Sequence, residues 1–211
     1  MDLYAGDRNA TSKADDGFGG INLNSNASIQ TRNGGINLWA ANDVLVNADT
    51  STAGNNGIRT VNGGSISVTA LFGNVNSGAN RNGYQFTPRA EPYYKVAPNL
   101  GGISTAAGGD VSIIAGGDVT SYFPLAGNQN ILTEAGLGAY GSKPGNVSVI
   151  AGGSVFGHYV LANGVGHITA GADVGGPTAS KGVALSLIKG GWTVDAPNGS
   201  IYLQEVRNPN G

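Results

Sequence analysis

The chain has 211 residues, of which 37 are glycine and none is cysteine, and its formal net charge is −2. Disulfides and cysteine-ligated metals are therefore excluded, and no basic surface for nucleic acid or anionic lipid is indicated. Hydrophobic residues make up 40%, too many for a disordered glycine-rich linker. No apolar stretch reaches the roughly 18 residues of a membrane span, so none is predicted.

A short motif recurs from the first residues onward. It reads glycine, polar, apolar, polar, apolar, then alanine, a short glycine-rich or polar stretch, and a valine or isoleucine. The partial and complete copies, in chain order, lie at 3–7, 20–23, 35–44, 64–75, 109–119, 145–155, 167–174 and 191–201. Self-similarity of this kind indicates a repeat architecture.

The motif predicts two short strands joined by a sharp corner. Apolar and polar residues alternate at Val111 and Ile113, as expected of a half-buried strand, and Val119 opens the next strand soon afterwards. The alanine between them is small enough for an inward corner. One such unit cannot bury its own apolar face, so stacked units are expected, as in a β-solenoid. A sandwich or jelly roll is the all-β alternative.

Two segments depart from the repeat and predict loop insertions out of the coil, at 76–99 and 121–144. Binding residues are commonly carried on such loops, and aromatic side chains suit contact with a sugar or a protein. The packing of these aromatics onto the scaffold is an equal alternative. The candidate contact residues are Tyr84, Phe86, Tyr93, Tyr94, Tyr122 and Phe123.

The repeats resemble the large filamentous-haemagglutinin-type exoproteins of Gram-negative bacteria. The residues that carry the resemblance are Ala-Gly-Gly-Asp-Val at 115–119, the run 145–176 and the closing Ala-Pro-Asn-Gly-Ser-Ile-Tyr-Leu at 196–203. The resemblance implies a right-handed parallel β-helix, export through an outer-membrane secretion partner, and a secreted or cell-surface location. It also implies roles in adhesion, biofilm formation or competition between cells, and it supplies no catalytic motif. We expect residues 1–211 to be one β-helix segment of a longer protein.

Four aspartates invite a catalytic interpretation, because some β-helical enzymes cleave polysaccharides with clustered carboxylates. Asp43, Asp118 and Asp173 occupy one position of the repeat, just before the valine that opens a strand, and Asp110 precedes Val111. Repetition at a turn position favours turn capping instead.

His158 and His167 are the only histidines. Adjacent coils could bring them together with Asp173 as a metal site or a catalytic triad. A chance pair is commoner, and the calcium-binding nonapeptide of some solenoids does not recur here. No metal, cofactor or catalytic residue is therefore predicted.

The sequence thus predicts a non-enzymatic adhesin scaffold whose loops attach to glycans or proteins of a host or neighbouring cell. The second hypothesis is a structural spacer or self-associating fibre segment without a ligand. The third is a polysaccharide-active enzyme on the same fold.

Overall fold

The computed structural model describes residues 1–14, 19–24, 26–46, 55–86, 94–122 and 136–208. This part of the chain is all-β, with no α-helix and one 3-10 turn at Ala179–Lys181. The strands are β1 (Asp2–Ala5), β2 (Ile21–Leu23), β3 (Ser28–Thr31), β4 (Ile36–Ala40), β5 (Val44–Val46), β6 (Gly57–Thr60), β7 (Ile66–Ala70), β8 (Val75–Asn76), β9 (Tyr84–Phe86), β10 (Tyr94–Val96), β11 (Ile103–Thr105), β12 (Val111–Ala115), β13 (Val119–Thr120), β14 (Leu137–Ala139), β15 (Val147–Ala151), β16 (Val155–Ala170), β17 (Val183–Asp195) and β18 (Leu203–Arg207).

Sixteen of these strands form one large parallel sheet that nearly closes on itself. Its pairings define three stacks. Stack 1 contains β1, β4, β7, β12, β15, the end of β16 and the end of β17. Stack 2 contains β2, β5, β8, β13 and the start of β16. Stack 3 contains β3, β6, β11, β14, the middle of β16, the start of β17 and β18.

The chain visits stacks 1, 2 and 3 in turn, and each circuit, here called a coil, lays its strands beside those of the previous circuit. This pairing is compatible with a parallel β-helix. The coils differ in length: Val149 pairs with Ile168, whereas Val68 pairs with Ile113, more than twice as far along the chain. The coil from 149 to 168 is therefore close to the bare repeat, and longer coils carry extra chain.

Most of the extra chain leaves at one corner, between stacks 2 and 3, which we call the insertion corner. The chain crosses this corner directly within β16, from Val155 to Tyr159, but it needs the whole segment 77–102 to pass from β8 to β11. From stack 1 to stack 2 the connection stays short, as between β4 and β5 or between β12 and β13. The exception is the first coil, where residues 6–20 connect stack 1 to stack 2.

The interior is built from columns of like side chains, one residue per coil. In stack 1 the buried columns are Ile36, Ile66, Val111 and Val147; Leu38, Val68, Ile113, Val149 and Ile168; and Ala40, Ala70, Ala115, Ala151 and Ala170. The predicted inward alanine is therefore confirmed. Burial of each aliphatic side chain stabilises the fold by roughly 1.5–3 kcal/mol. Because that burial requires the coils on either side, no coil is stable without its neighbours.

The repeated aspartates tie neighbouring coils together. Asp118 Oδ1 accepts the N–H of Ser154, its counterpart in the next coil, at 2.7 Å. The same ladder, acceptor first, contains Asp43 Oδ1 with Asn74 N at 2.7 Å, Asn74 Oδ1 with Asp118 N at 2.8 Å, Ser154 Oγ with Asp173 N at 3.4 Å and Asp173 Oδ1 with Ser200 N at 2.8 Å. Asp110 belongs to a second ladder, between stacks 3 and 1, and accepts the N–H of Asn146 at 2.7 Å.

These hydrogen bonds confirm a structural role for the four aspartates and correct its form. The side chains were expected to close their own turns, yet they cap the backbone of the following coil. Parallel coils present equivalent N–H groups one above the other, so a short acceptor reaches the next coil directly.

Two further features differ from the expectation. The repeat predicted two strands, enough for two sides of a coil, and it did not mark the strand that forms the third side, in stack 3. The second predicted insertion, 121–144, is also too long, because β14 pairs with β11 and β16 within the coil. Residues 137–139 therefore belong to the coil. The first, 76–99, begins too early, since Asn76 is paired in stack 2.

Candidate functional site

The insertion corner carries more extra residues than either of the other two corners of the coil. Four connections from stack 2 to stack 3 carry extra residues: 47–56, 77–102, 121–136 and, after the direct passage in β16, 175–182. Because coils stack in register, these segments leave from the same edge of the sheet. Residues 47–54, 87–93 and 123–135 lie outside the described part.

The longest connection folds back over the outer face of stack 3. Its strands β9 and β10 form an antiparallel hairpin, in which Tyr84 pairs with Val96 and Gln85 with Lys95. Side chains of stack 3 that point away from the interior are consequently buried, including Ser104 and Val160. Strands β6, β11 and β14 of stack 3 are therefore buried on both faces, whereas β3 and β18 at its two ends are not.

A second apolar cluster joins the hairpin to stack 3. Tyr84 and Tyr140 lie with ring centroids 4.9 Å apart and planes tilted by 51°, a favourable aromatic arrangement. Leu100 and Val160 complete the buried cluster. The Tyr140 hydroxyl accepts the Gly136 N–H at 2.8 Å, and burial raises the pKa of that phenol well above its usual value. The cluster anchors the base of the insertion.

A buried guanidinium reinforces the same base. Arg59 in β6 donates Nε–H to Gln30 Oε1 at 2.6 Å and donates to the carbonyls of Asn55 and Leu100, each at 3.1 Å. Burial lowers the pKa of Arg59. These acceptors come from the preceding coil, the segment before β6 and the long insertion. Arg59 thus fastens three pieces of chain that are distant in sequence.

The last connection shapes a shallow cleft at the insertion corner. Residues 176–178 and 182 face Tyr202, Leu203 and Gln204 across an open space of about 320 Å³. On the same segment the Lys181 ammonium lies 5.5 Å from the centroid of the Phe156 ring, within cation–π range. The described part of the corner therefore offers an amphipathic surface.

The predicted aromatic contacts divide into four groups. Tyr84 is only 4% exposed, so its ring packs the insertion onto stack 3 and presents no face to solvent. The backbone of Phe86 pairs with that of Tyr94 in the hairpin. Tyr122 is half-buried and its carbonyl accepts the His158 N–H at 2.9 Å. Tyr93 and Phe123 lie outside the described residues.

The two histidines do not form a joint site. His158 pairs with Ala184 in stack 3, is buried, and its Nε2 lies 2.7 Å from Ser186 Oγ. His167 is exposed in stack 1, paired with Ser148. The alternative in which these two residues meet, with Asp173 beside them, is therefore not realised, because β16 turns a corner between His158 and His167.

In the described residues, no three His, Cys, Asp or Glu side chains are grouped closely enough to hold a metal ion. The four aspartates considered for polysaccharide cleavage accept backbone N–H groups of adjacent coils, as described above. No helix of the described chain is both long and apolar enough to cross a membrane.

The covered outer face of stack 3 was not predicted from the sequence. The burial of Arg59, Ser104 and Ser186 marks a covered outer face, but these polar residues look like exposed strand positions in the sequence. Comparison of the chain with family models, curated proteins and solved structures found no match.

Proposed function

We propose that this chain is a non-enzymatic adhesive scaffold, wound as a right-handed parallel β-helix, that uses the insertion corner to attach to glycans or proteins of a host or neighbouring cell. The observation that supports the proposal is the placement of the extra chain. Several coils release their insertions at a single corner, while the other corners stay short after the first coil. Loops of different coils can then form one composite surface on a rigid support.

The resemblance to filamentous-haemagglutinin-type exoproteins supports the same role. It leads us to propose a secreted or cell-surface location and export through an outer-membrane secretion partner. In this proposal the buried Tyr84, Tyr140 and Arg59 orient the insertion. The chain that links β9 to β10 then makes the contact.

The test removes the hairpin tip and keeps its anchor. Residues 86–94 are replaced by Asn-Gly, a dipeptide that closes two-residue hairpins. Gln85 and Lys95, already paired, would flank the new turn, and Tyr84 would remain in the buried cluster. The matched control is Lys143→Ser, at an exposed position between stacks 3 and 1.

Binding of all three proteins to intact cells and to a glycan array is measured, with circular dichroism and urea midpoints as folding controls. We expect at least a tenfold loss of binding for the hairpin variant and none for Lys143→Ser. Equal binding by the trimmed protein would overturn the role of the hairpin. Absence of binding by every folded protein would overturn the adhesive function.

A further inference from the structure

We propose that the outer face of stack 1 is a binding surface for a linear, uncharged polysaccharide lying along the stacking direction of the coils. This surface, which we call the hydroxyl face, is separate from the insertion corner. The inference goes beyond the attachment role proposed above, because it assigns a ligand class to a different part of the molecule and does not require the loops.

The hydroxyl face consists of two outward columns with one residue per coil. The strand register aligns Asn37, Ser67, Ser112, Ser148 and His167 in the first column. The same register aligns Trp39, Thr69, Ile114, Ile150 and Thr169 in the second. Neighbouring coils are about 4.8 Å apart, so each column repeats its chemistry at that interval.

The serine hydroxyls of the first column are unused by the protein. Within the described chain, the side chains of Ser67, Ser112 and Ser148 make no hydrogen bond to another residue, and all three reach solvent. A hydroxyl can both donate and accept. Three of them in a row offer a repeated hydrogen-bonding pattern to a ligand whose own hydroxyls repeat along one direction.

The second column supplies apolar surface beside those hydroxyls. Ile114 and Ile150 are 45% and 46% exposed, so a large part of each side chain faces solvent, and Trp39 is partly buried. Sugar rings have apolar C–H faces together with polar edges, and aromatic or aliphatic side chains pack against such faces. Hydroxyls beside an apolar strip therefore match the two kinds of surface on a polysaccharide.

The charges on and near the hydroxyl face further restrict the class of ligand. The ten outward residues named above include no Asp, Glu, Lys or Arg. Beyond one end of the columns lie Asp2 and Arg8, whose opposite charges cancel in the net charge, and beyond the other lies Asp195, which would repel a polyanion. An uncharged ligand is therefore favoured over an acidic one.

The size of the face favours a narrow ligand. Five strands of about five residues span roughly 20 by 16 Å, on the order of 300 Å². A stable protein–protein interface requires about 800 Å² per partner. The face is too small for such a partner and suits a thin, extended chain.

The surface is also open, unlike the outer face of stack 3. The connections from stack 1 to stack 2 are short after β4, so the later coils release no insertion on that side. The first-coil connection does leave there, and its Arg8 lies over the Tyr4 ring, next to Trp39 at one end of the face. A ligand can therefore approach the part of the face that runs from Ser67 and Thr69 onward. One hexopyranose of an extended chain is close in length to the spacing of the coils, so successive sugars would meet successive serines.

The experiment uses microcrystalline cellulose as the probe for a neutral linear glycan and polygalacturonate as the charged comparison. Binding of the full chain is compared with that of the triple variant Ser67→Ala/Ser112→Ala/Ser148→Ala. Ser142→Ala, at an exposed position between stacks 3 and 1, is the matched control. The hairpin-trimmed protein described above is included to separate this surface from the insertion corner.

We expect the full chain to bind cellulose at both low and high salt, since an uncharged contact is not screened. The triple variant should bind at least tenfold more weakly, while Ser142→Ala and the trimmed protein bind as the wild type does. Failure of the folded wild type to bind cellulose, preference for polygalacturonate, or undiminished binding by the triple variant would each overturn the inference. A dimer that the triple variant abolishes would also overturn it, by identifying the face as a contact between copies.

Discussion

Stack 1 and stack 3 are built on the same parallel hydrogen-bonding ladder, yet their outer faces differ. Stack 1 leaves Ile114 and Ile150 facing solvent, whereas stack 3 buries Val160 and even the polar Ser104. The difference arises from the insertion corner, whose longest connection returns over stack 3 and not over stack 1. Whether an outer face is exposed or buried therefore depends more on where the coils are lengthened than on the strands themselves.

The largest effect is expected where a coil crosses the insertion corner without extra residues. Gly157 has φ of 104°, and a Cβ there would overlap the carbonyl oxygen of Ser121. Gly157→Ala should lower the free energy of unfolding by about 2–4 kcal/mol through backbone strain and overpacking. Gly34→Ala is the control, since an added Cβ at Gly34 meets no atom within 4 Å. Urea denaturation measures both, and equal midpoints would show that the direct passage does not need glycine.

Alanine substitution of one outward side chain in each stack measures how differently the two outer faces are buried. Val160→Ala in stack 3 removes buried methyl groups and should cost about 1–3 kcal/mol. Ile150→Ala in stack 1 removes a larger side chain that is 46% exposed, and it should cost under about 1 kcal/mol. If Ile150→Ala were the more destabilising of the two in urea, the outer face of stack 1 would have to be covered in solution.

Alkaline pH should lower the free energy of unfolding, because it favours ionisation of the buried phenols of Tyr140 and Tyr159. Burial raises the pKa of both Tyr140 and Tyr159 above the ordinary value of about 10. Since ionisation is then easier in the unfolded chain, the contribution of these two tyrosines to stability should be constant below about pH 10 and fall above it, by up to about 1.4 kcal/mol per pH unit for each tyrosine. Tyr140→Phe should reduce that slope, and the exposed control Tyr202→Phe should not. An identical pH profile for Tyr140→Phe would contradict the burial of this ring.

The smallest effect concerns the ladder beside stack 1. Asp118→Ala removes the acceptor for the Ser154 N–H and should cost about 1 kcal/mol, by analogy with loss of a helix cap. Asp118→Asn keeps an acceptor oxygen, and Asn74 already occupies this position in the preceding coil. Asp118→Asn should therefore cost less than about 0.5 kcal/mol, as an ordinary surface substitution does. Equal losses for both variants, measured by urea denaturation, would show that the charge matters as well as the hydrogen bond.

The sequence predicted stacks 1 and 2 well and stack 3 not at all. Alternation at Val111 and Ile113 is visible because one face is buried and the other is not. In β6, every residue from Gly57 to Thr60 is buried, so no alternation marks the strand. Its outward Arg59 is buried only because a much later segment, at Leu100, returns over it. Strands enclosed on both faces lose the period that makes a strand recognisable.

The contact role of the insertion aromatics stays a prediction, and only the positions of the insertions can be compared with the structure. Departure from the repeat identified both insertions, but their ends were displaced, because residues 137–139 rejoin the coil as β14. Aromatic composition alone could not separate an anchor from a contact residue. The burial of Tyr84 depends on Tyr140, which lies in the next coil.

The sequence by itself determined the repeat, the inward columns and the absence of disulfides, since each follows from residue type and local spacing. The tertiary structure decided the third stack, the single corner at which most coils lengthen, and which outer face is covered. Those features depend on contacts between residues in different coils, such as Val68 and Ile113, that are far apart in the chain. Local patterns carry no record of such contacts, because the length of a connection does not reveal the direction in which it folds.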